Sequence, residues 1–144
     1  MGKKVNNKAL QLQRQIPRDI RTELNDVDYN LRKGKVAFEN VVHNGCSITD
    51  WQGSELKLLI ESFKKLETLT WKQILLDNGL NYERNKFIAI PLPSEFPNDA
   101  KLCSFRVNQK KRIYGYRAQE FFYIIWFDKN HIVCPMNKPK KFTA

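Results

Sequence analysis

The sequence predicts an α+β domain: an αα-hairpin packed on a small antiparallel C-terminal sheet, with an N-terminal helical or flexible extension. Three observations predict it. The run SELKLLIESFKKL puts Leu56, Leu59, Ile60, Phe63 and Leu66 on one helical face. A few residues later, Thr70 and Gln73 have the spacing of a capping box, which starts a second short helix. Finally KLCSFRVN (101–108), RIYGYRAQ (112–119) and FFYIIWFD (121–128) are three β-prone runs separated by turn-sized gaps.

Taken in order, residues 1–34 are polar, mixed in charge and poor in large apolar side chains, and are read as a basic N-terminal arm. Short helices over 5–15 and 18–30 fit its spacing, as does a frayed terminus. KVAFENVV (35–42) is β-branched and aromatic enough for a strand, and His43, Asn44 and Gly45 supply a turn. Ser54 is the expected N-cap of the first helix, and Gly79 the expected stop of the second. Trp51 and Trp71 are read as core anchors of this helical layer. Between 80 and 99 the chain is irregular, with FIAIPLP as a short edge strand whose prolines remove ladder donors.

In FFYIIWFD both alternating sets are apolar, Phe122, Ile124 and Trp126 against Phe121, Tyr123, Ile125 and Phe127, as in a strand covered on both sides. Gly115, inside RIYGYRAQ, signals a bulge or a close backbone approach. HIVCP extends the sheet, and residues 136–144 form a basic mobile tail. The whole is one domain over 35–135, flanked by arm and tail.

Composition narrows the function. A net charge of +10 in a 144-residue chain points to a polyanionic partner. The excess is local: from residue 100 onward there are ten Lys or Arg and only two acids, Glu120 and Asp128. No apolar run approaches the roughly 18–20 residues of a membrane span, and the first sixteen residues have no apolar core of a secretory signal. A cytoplasmic chain with no membrane partner is the expectation. The three cysteines, Cys46, Cys103 and Cys134, form no CxxC pair and read as reduced, buried thiols. With two histidines, His43 and His131, zinc-ligand spacing is missing as well. Dinucleotide, P-loop and nucleophile-elbow motifs are not found, so neither metal nor cofactor is expected.

The order of strand, two helices and an Arg- and Tyr-rich meander resembles the RelE/ParE superfamily of bacterial toxins, whose RelE and YoeB branches cleave messenger RNA. The resemblance covers roughly residues 35–133 by element order. It is carried by SFRVNQKKRIYGY: an Arg late in one strand, a charged turn, and an Arg opening the next. Residues 1–34 and the long loop at 80–99 have no counterpart in that family. The run RIYGYRAQEFFYIIWFDKNHIVCP is also similar to small bacterial proteins to which no activity attaches.

The resemblance implies a metal-independent endoribonuclease acting on mRNA, with the ribosome as one place to meet it, and an acidic antitoxin-like partner. Such cleavage needs a base for the 2′-OH, cations on the phosphate, and an acid for the leaving oxygen. Arg106 and Arg112 can clamp a phosphate bidentately. His131 is the nearby candidate acid or base, and Glu120 the nearest carboxylate for a base. Lys110, Lys111 and Arg117, with Lys138, Lys140 and Lys141 in the tail, can hold the backbone, and Tyr114 and Tyr116 can stack on bases.

Each residue has a structural alternative. His131 can close a turn, the arginines can form surface pairs, and the tyrosines can pack beneath the N-terminal arm. Asp128 is read as the start of the DKN turn. Two other functions stay open: a non-catalytic nucleic-acid-binding or inhibitor protein of a defence or phage accessory system, and a protein-interaction module docking on an acidic partner.

Overall fold

The computed structural model describes residues 27–85 and 87–135. The two arm helices expected before residue 27 and the tail from 136, with Lys138, Lys140 and Lys141, lie outside the described residues. Where the second arm helix would end, Tyr29–Leu31 form a single 3₁₀ turn capped by Asp28.

The described chain is α+β, with two α-helices and a five-stranded sheet. The strands are β1 (Lys35–Ala37), β2 (Glu83–Arg84), β3 (Cys103–Asn108), β4 (Lys111–Ala118) and β5 (Phe121–Asp128). Their order is β1-β5-β4-β3-β2. The three C-terminal strands form the expected antiparallel meander, but the sheet is mixed. β1 joins β5 in parallel, Val36 opposite Phe122. Only three residues of KVAFENVV pair as strand, since the chain turns away at Glu39 and Asn40.

Helix α1 (Gly53–Thr68) and helix α2 (Trp71–Leu76) lie on one face of the sheet. The N-cap of α1 is Gln52 rather than Ser54, and the Glu55 carboxylate accepts from the Gln52 N–H at 2.8 Å. Of the expected apolar face, Leu59 and Leu66 are buried, whereas Ile60 is 53% exposed. The capping box of α2 forms as read: Thr70 N–H donates to Gln73 Oε1, and Gln73 N–H to Thr70 Oγ1. This helix stops at Leu76, before Gly79, where the Asp77 carboxylate accepts from Leu80 N–H and pairs with Lys65.

Both tryptophans are anchors. Trp51 and Trp71 are buried, and their indole N–H groups donate to the carbonyls of Phe127 and Glu120, at opposite ends of β5. Under the helices lie Phe105, Ile113, Phe122, Ile124 and Phe127. Each such fully buried side chain contributes about 1.5–3 kcal/mol relative to exposure.

The second sheet face is covered by irregular chain. FIAIPLP forms no strand; its Ile88 and Ile90, with Phe96 and Leu102, pack on Tyr114, Tyr116, Ile125 and Trp126. The two-residue β2 takes the edge position instead. HIVCP likewise folds over this face without entering the sheet. Ala89 N–H donates to the Val133 carbonyl, and both Val133 and Cys134 are buried. All three cysteines are buried.

Two register shifts reshape the faces. Opposite β4, Tyr114 pairs with Trp126 but Gly115 pairs with Ile124, so Ile125 is an extra residue in β5. Past that bulge the alternation inverts. Trp126 joins Ile125 on the second face, and Phe127 turns to the helices, the reverse of a regular strand. Gly115 sits at the bulge, where a Cβ would overlap the Tyr123 carbonyl oxygen.

Candidate functional site

The β3–β4 hairpin closes on a two-residue turn, Gln109 and Lys110, with Asn108 opposite Lys111. Gln109 takes φ 44°, in the left-handed region that tight hairpin turns require. A regular ladder from that turn would set Val107 opposite Arg112 and send Arg106 to the other face. The register shift between Arg106 and Asn108 prevents this, because Val107 is an extra residue and Arg106 pairs directly with Arg112. The two guanidinium-bearing side chains therefore share one face.

That face holds an open cleft of about 400 Å³ lined by Arg106, Gln109, Lys110 and Arg112. Its electrostatics are unbalanced. Among the described residues none of these three cations forms an ion pair. The buried Nε of Arg106 has no hydrogen-bond partner, although a buried donor left unmade costs about 1–3 kcal/mol. Arg112 is steadied by the Gln109 and Lys111 carbonyls, which accept from its Nη1. Burial holds its guanidinium below the ordinary pKa and the like charge of Arg106 adds to the lowering, while Tyr114 and the carboxylates of Glu83 and Asp128 pull the other way. Like charges directly opposite each other destabilise a strand pair. An anion between them would relieve that repulsion.

The opposite face is partly neutralised. Lys111 and Lys129 both pair with Glu55 at the start of α1, at 3.7 and 3.1 Å. Lys111, expected on the same site as Lys110, is thus held beneath the helices. Arg112, the next residue along β4, faces the other way.

The remaining candidates are dispersed. Arg117 lies over the Trp71 ring, 4.2 Å from its centroid, and donates to the Gln119 carbonyl. Glu120 occupies the β4–β5 turn and pairs with Arg32 at 3.7 Å. Six strand residues separate that turn from Arg112, roughly 20 Å of extended chain. Glu120 is therefore not brought to the two arginines.

Tyr114 is 1% exposed and Tyr116 8%. Burial, with Cys134 and Asp128 beside it, drives the Tyr114 phenol well above its ordinary pKa. Tyr116 stacks on Tyr123, meets Phe96 edge-on, and accepts from Asn40 Nδ2 at 2.7 Å. Among the described residues, the 87–102 segment and the C-terminal turn cover both tyrosines. Neither presents a ring face to a base.

Asp128 starts the turn, as its sequence context indicates. It is fully buried, and its two oxygens accept from Ile132 N–H and Val133 N–H at 2.9 and 2.8 Å. Burial pushes the neighbouring Cys46 thiol up to about 12, with the Asp128 charge and a hydrogen bond to it adding to the shift. His131 sits in this turn at φ 61°, a strained value for a non-glycine residue. Because Asp128 is opposite Arg112 in the ladder, His131 is at the cleft's end of the sheet. Its Nδ1 is buried without a hydrogen-bond partner, and it does not line the cleft.

Arg106 and Arg112, read from the sequence as a pair, do share a face, but the sequence did not show what joins them, the Val107 bulge, or that Glu55 pairs with Lys111 and Lys129 on the other face. No local pattern marks the first. The second was in principle readable from Glu55 lying three residues after a helix N-cap. Among the described residues no group of three or more His, Cys, Asp or Glu gathers where a metal ion could be held, and no helix is long and apolar enough to cross a membrane. Comparison of the chain with protein-family models, with curated proteins and with solved structures gave no match.

Proposed function

We propose that this chain is a toxin-like RNA-binding protein that grips the phosphate backbone in the cleft between Arg106 and Arg112. One observation carries the reading: two arginines held directly opposite each other by a bulge, without ion pairs, one with an orphaned buried Nε. Guanidinium groups in that arrangement suit a bidentate phosphate ligand. The local excess of cations after residue 100 and the resemblance of SFRVNQKKRIYGY to RelE/ParE toxins support the same reading. An acidic partner protein would compete for this cleft.

Cleavage is a second reading, favoured by His131. Its ring sits at the same end of the sheet, but its unpartnered Nδ1 is buried and it does not line the cleft, so proton exchange with a bound strand requires the 129–133 turn to move. Glu120 takes no part, being at the other end, and the buried tyrosines offer no proton path. Acid–base work in a metal-independent mRNA cleavage then falls to His131.

The test is incubation of the pure protein with labelled RNA, alone and with translating ribosomes, without added metal. Arg112→Ala is expected to lose binding, and His131→Ala to keep binding while losing any cleavage. Intact RNA with salt-sensitive binding would leave the binding protein and remove the nuclease. Unchanged affinity in Arg112→Ala would remove both.

A further inference from the structure

The chain contains two Asn-Gly pairs, Asn44–Gly45 and Asn78–Gly79. An Asn followed by Gly is prone to react with itself, because the glycine has no Cβ to keep its nitrogen from the Asn side-chain carbon. Both pairs are exposed, but the fold holds them differently.

Asn78–Gly79 follows α2 and is fixed in place. The Asp77 carboxylate accepts from Leu80 N–H at 2.8 Å and pairs with Lys65 at 2.9 Å. Lys65 chiefly, with the Leu80 and Gly79 N–H groups, keeps that carboxyl below its ordinary pKa against the effect of burial. The Lys65 ammonium also stands 2.9 Å from the place a Gly79 Cβ would occupy. Asn81 N–H closes the turn on the Asp77 carbonyl at 3.1 Å.

Asn44–Gly45 is open. Gly45 takes φ 86°, and nothing lies within 4 Å of the place its Cβ would occupy. Cys46 N–H donates to the Asn44 carbonyl at 3.2 Å, a three-residue turn with the positive φ of the rare γ form. Among the described residues neither the Gly45 N–H nor the Asn44 side-chain amide has a hydrogen-bond partner. The turn is tied to β5 on both sides. Val42 N–H donates to the Ile125 carbonyl at 3.1 Å, and the Cys46 carbonyl accepts from Phe127 N–H at 3.0 Å. Asn44 and Gly45 line an open cleft of about 530 Å³ together with Val42, Glu95 and Trp126.

We infer that Asn44 is a site of spontaneous deamidation in the folded chain, and that Asn78 is not. The Gly45 nitrogen attacks Asn44 Cγ, and its bond to Cγ forms as the bond from Cγ to the side-chain nitrogen breaks. Ammonia leaves with the proton from the Gly45 nitrogen, and a five-membered succinimide remains. Water then opens that ring at either carbonyl, giving aspartate or isoaspartate, with no oxidant or reductant required. The isoaspartate route adds one carbon to the main chain between the Val42 and Cys46 ties, which slackens the segment bordering Trp126. Either product places a new carboxylate in the cleft that Glu95 already lines.

The test is peptide mapping by mass spectrometry of the full chain after incubation at pH values below about 9, where the folded state keeps its stability. Products at residue 44 are expected to form at least about tenfold faster than at residue 78, since reaction at Asn78 waits on local opening. In denaturant the two rates are expected to come within about twofold of each other, because neither turn then persists. Asn44→Gln should remove the product at 44 and leave residue 78 unchanged. The isolated isoaspartyl chain should melt below Asn44→Asp, which shares its charge without the extra carbon. Equal rates in the folded chain, a faster rate at 78, or an unmodified Asn44 overturns the inference. A preference for 44 that persists in denaturant overturns it too, since the fold would then not be its cause. Matching melting temperatures overturn the slackened segment.

Discussion

Gly115 shows how far one missing side chain reaches. It lies where β5 carries its extra residue, and a Cβ there would overlap the Tyr123 carbonyl and crowd the Phe122 ring. Backbone cannot yield as a flexible side chain does, so Gly115→Ala should cost about 3 kcal/mol, the upper end of overpacking. Denaturant melts of the two proteins check this, and a loss under 1 kcal/mol would mean the bulge relaxes.

Cys46 gives a second residue-scale expectation. Its thiol is raised from 9.0 to about 12 in the folded chain. Above pH 9 the unfolded chain releases this proton while the folded chain retains it, so alkali favours unfolding. Stability should therefore be fully present below about pH 9 and fall as pH rises toward about 12. The raised phenols of Tyr82 and Tyr114 act in the same direction. Thermal melts between pH 8 and 11 should show the decline, with a shallower slope in Cys46→Ala.

At the scale of elements, the readable features were local. The Thr70–Gln73 box lies within four residues, and its geometry appears as expected; Thr70→Ala should cost about 1 kcal/mol, measurable by urea melts. The bounds of FFYIIWFD were readable because an apolar run ended by Asp and a turn has few alternatives. What the sequence hid were its one-residue slips. The bulge at Ile125 exchanged the faces of Trp126 and Phe127, and the bulge at Val107 brought Arg106 alongside Arg112. A period-two pattern cannot announce where the period breaks. FIAIPLP misled differently: its apolar residues are needed to cover a sheet face, and its prolines suit it to do so without a ladder.

The hairpin also sorts the cations by face. Lys111 is one residue from Arg112 yet paired with Glu55 on the helical side. Lys111→Ala should leave RNA affinity within about twofold, whereas Arg112→Ala should weaken it about tenfold or more, each arginine–phosphate contact being worth about 1.5–3 kcal/mol. Binding titrations of the two single variants decide it. Equal losses would mean general basicity, not the cleft, holds the RNA.

Across the whole molecule, charge and fold are arranged together. β1 pairs in parallel with β5 more than eighty residues later, a contact that local patterning does not encode. It leaves β3 and β4 on the other side of the sheet, where their hairpin projects toward solvent with Lys110 exposed. One end of the sheet carries Arg106, Lys110 and Arg112, which form no ion pair among the described residues. The other carries Arg117 over Trp71 and Glu120 paired with Arg32. A polyanion should meet the first end and leave the second undisturbed.

The most direct test is an NMR titration of the ¹⁵N-labelled chain with a short RNA, following backbone amides and arginine Nε–H signals. The expected result is that perturbations concentrate at 106–112, with the Nε–H signals of Arg106 and Arg112 shifting most and those of Arg117 and Arg32 staying in place. Largest shifts at Arg117 and Glu120, or along α1, with the Arg106 and Arg112 signals unmoved, would contradict the assignment of the cleft as the RNA site.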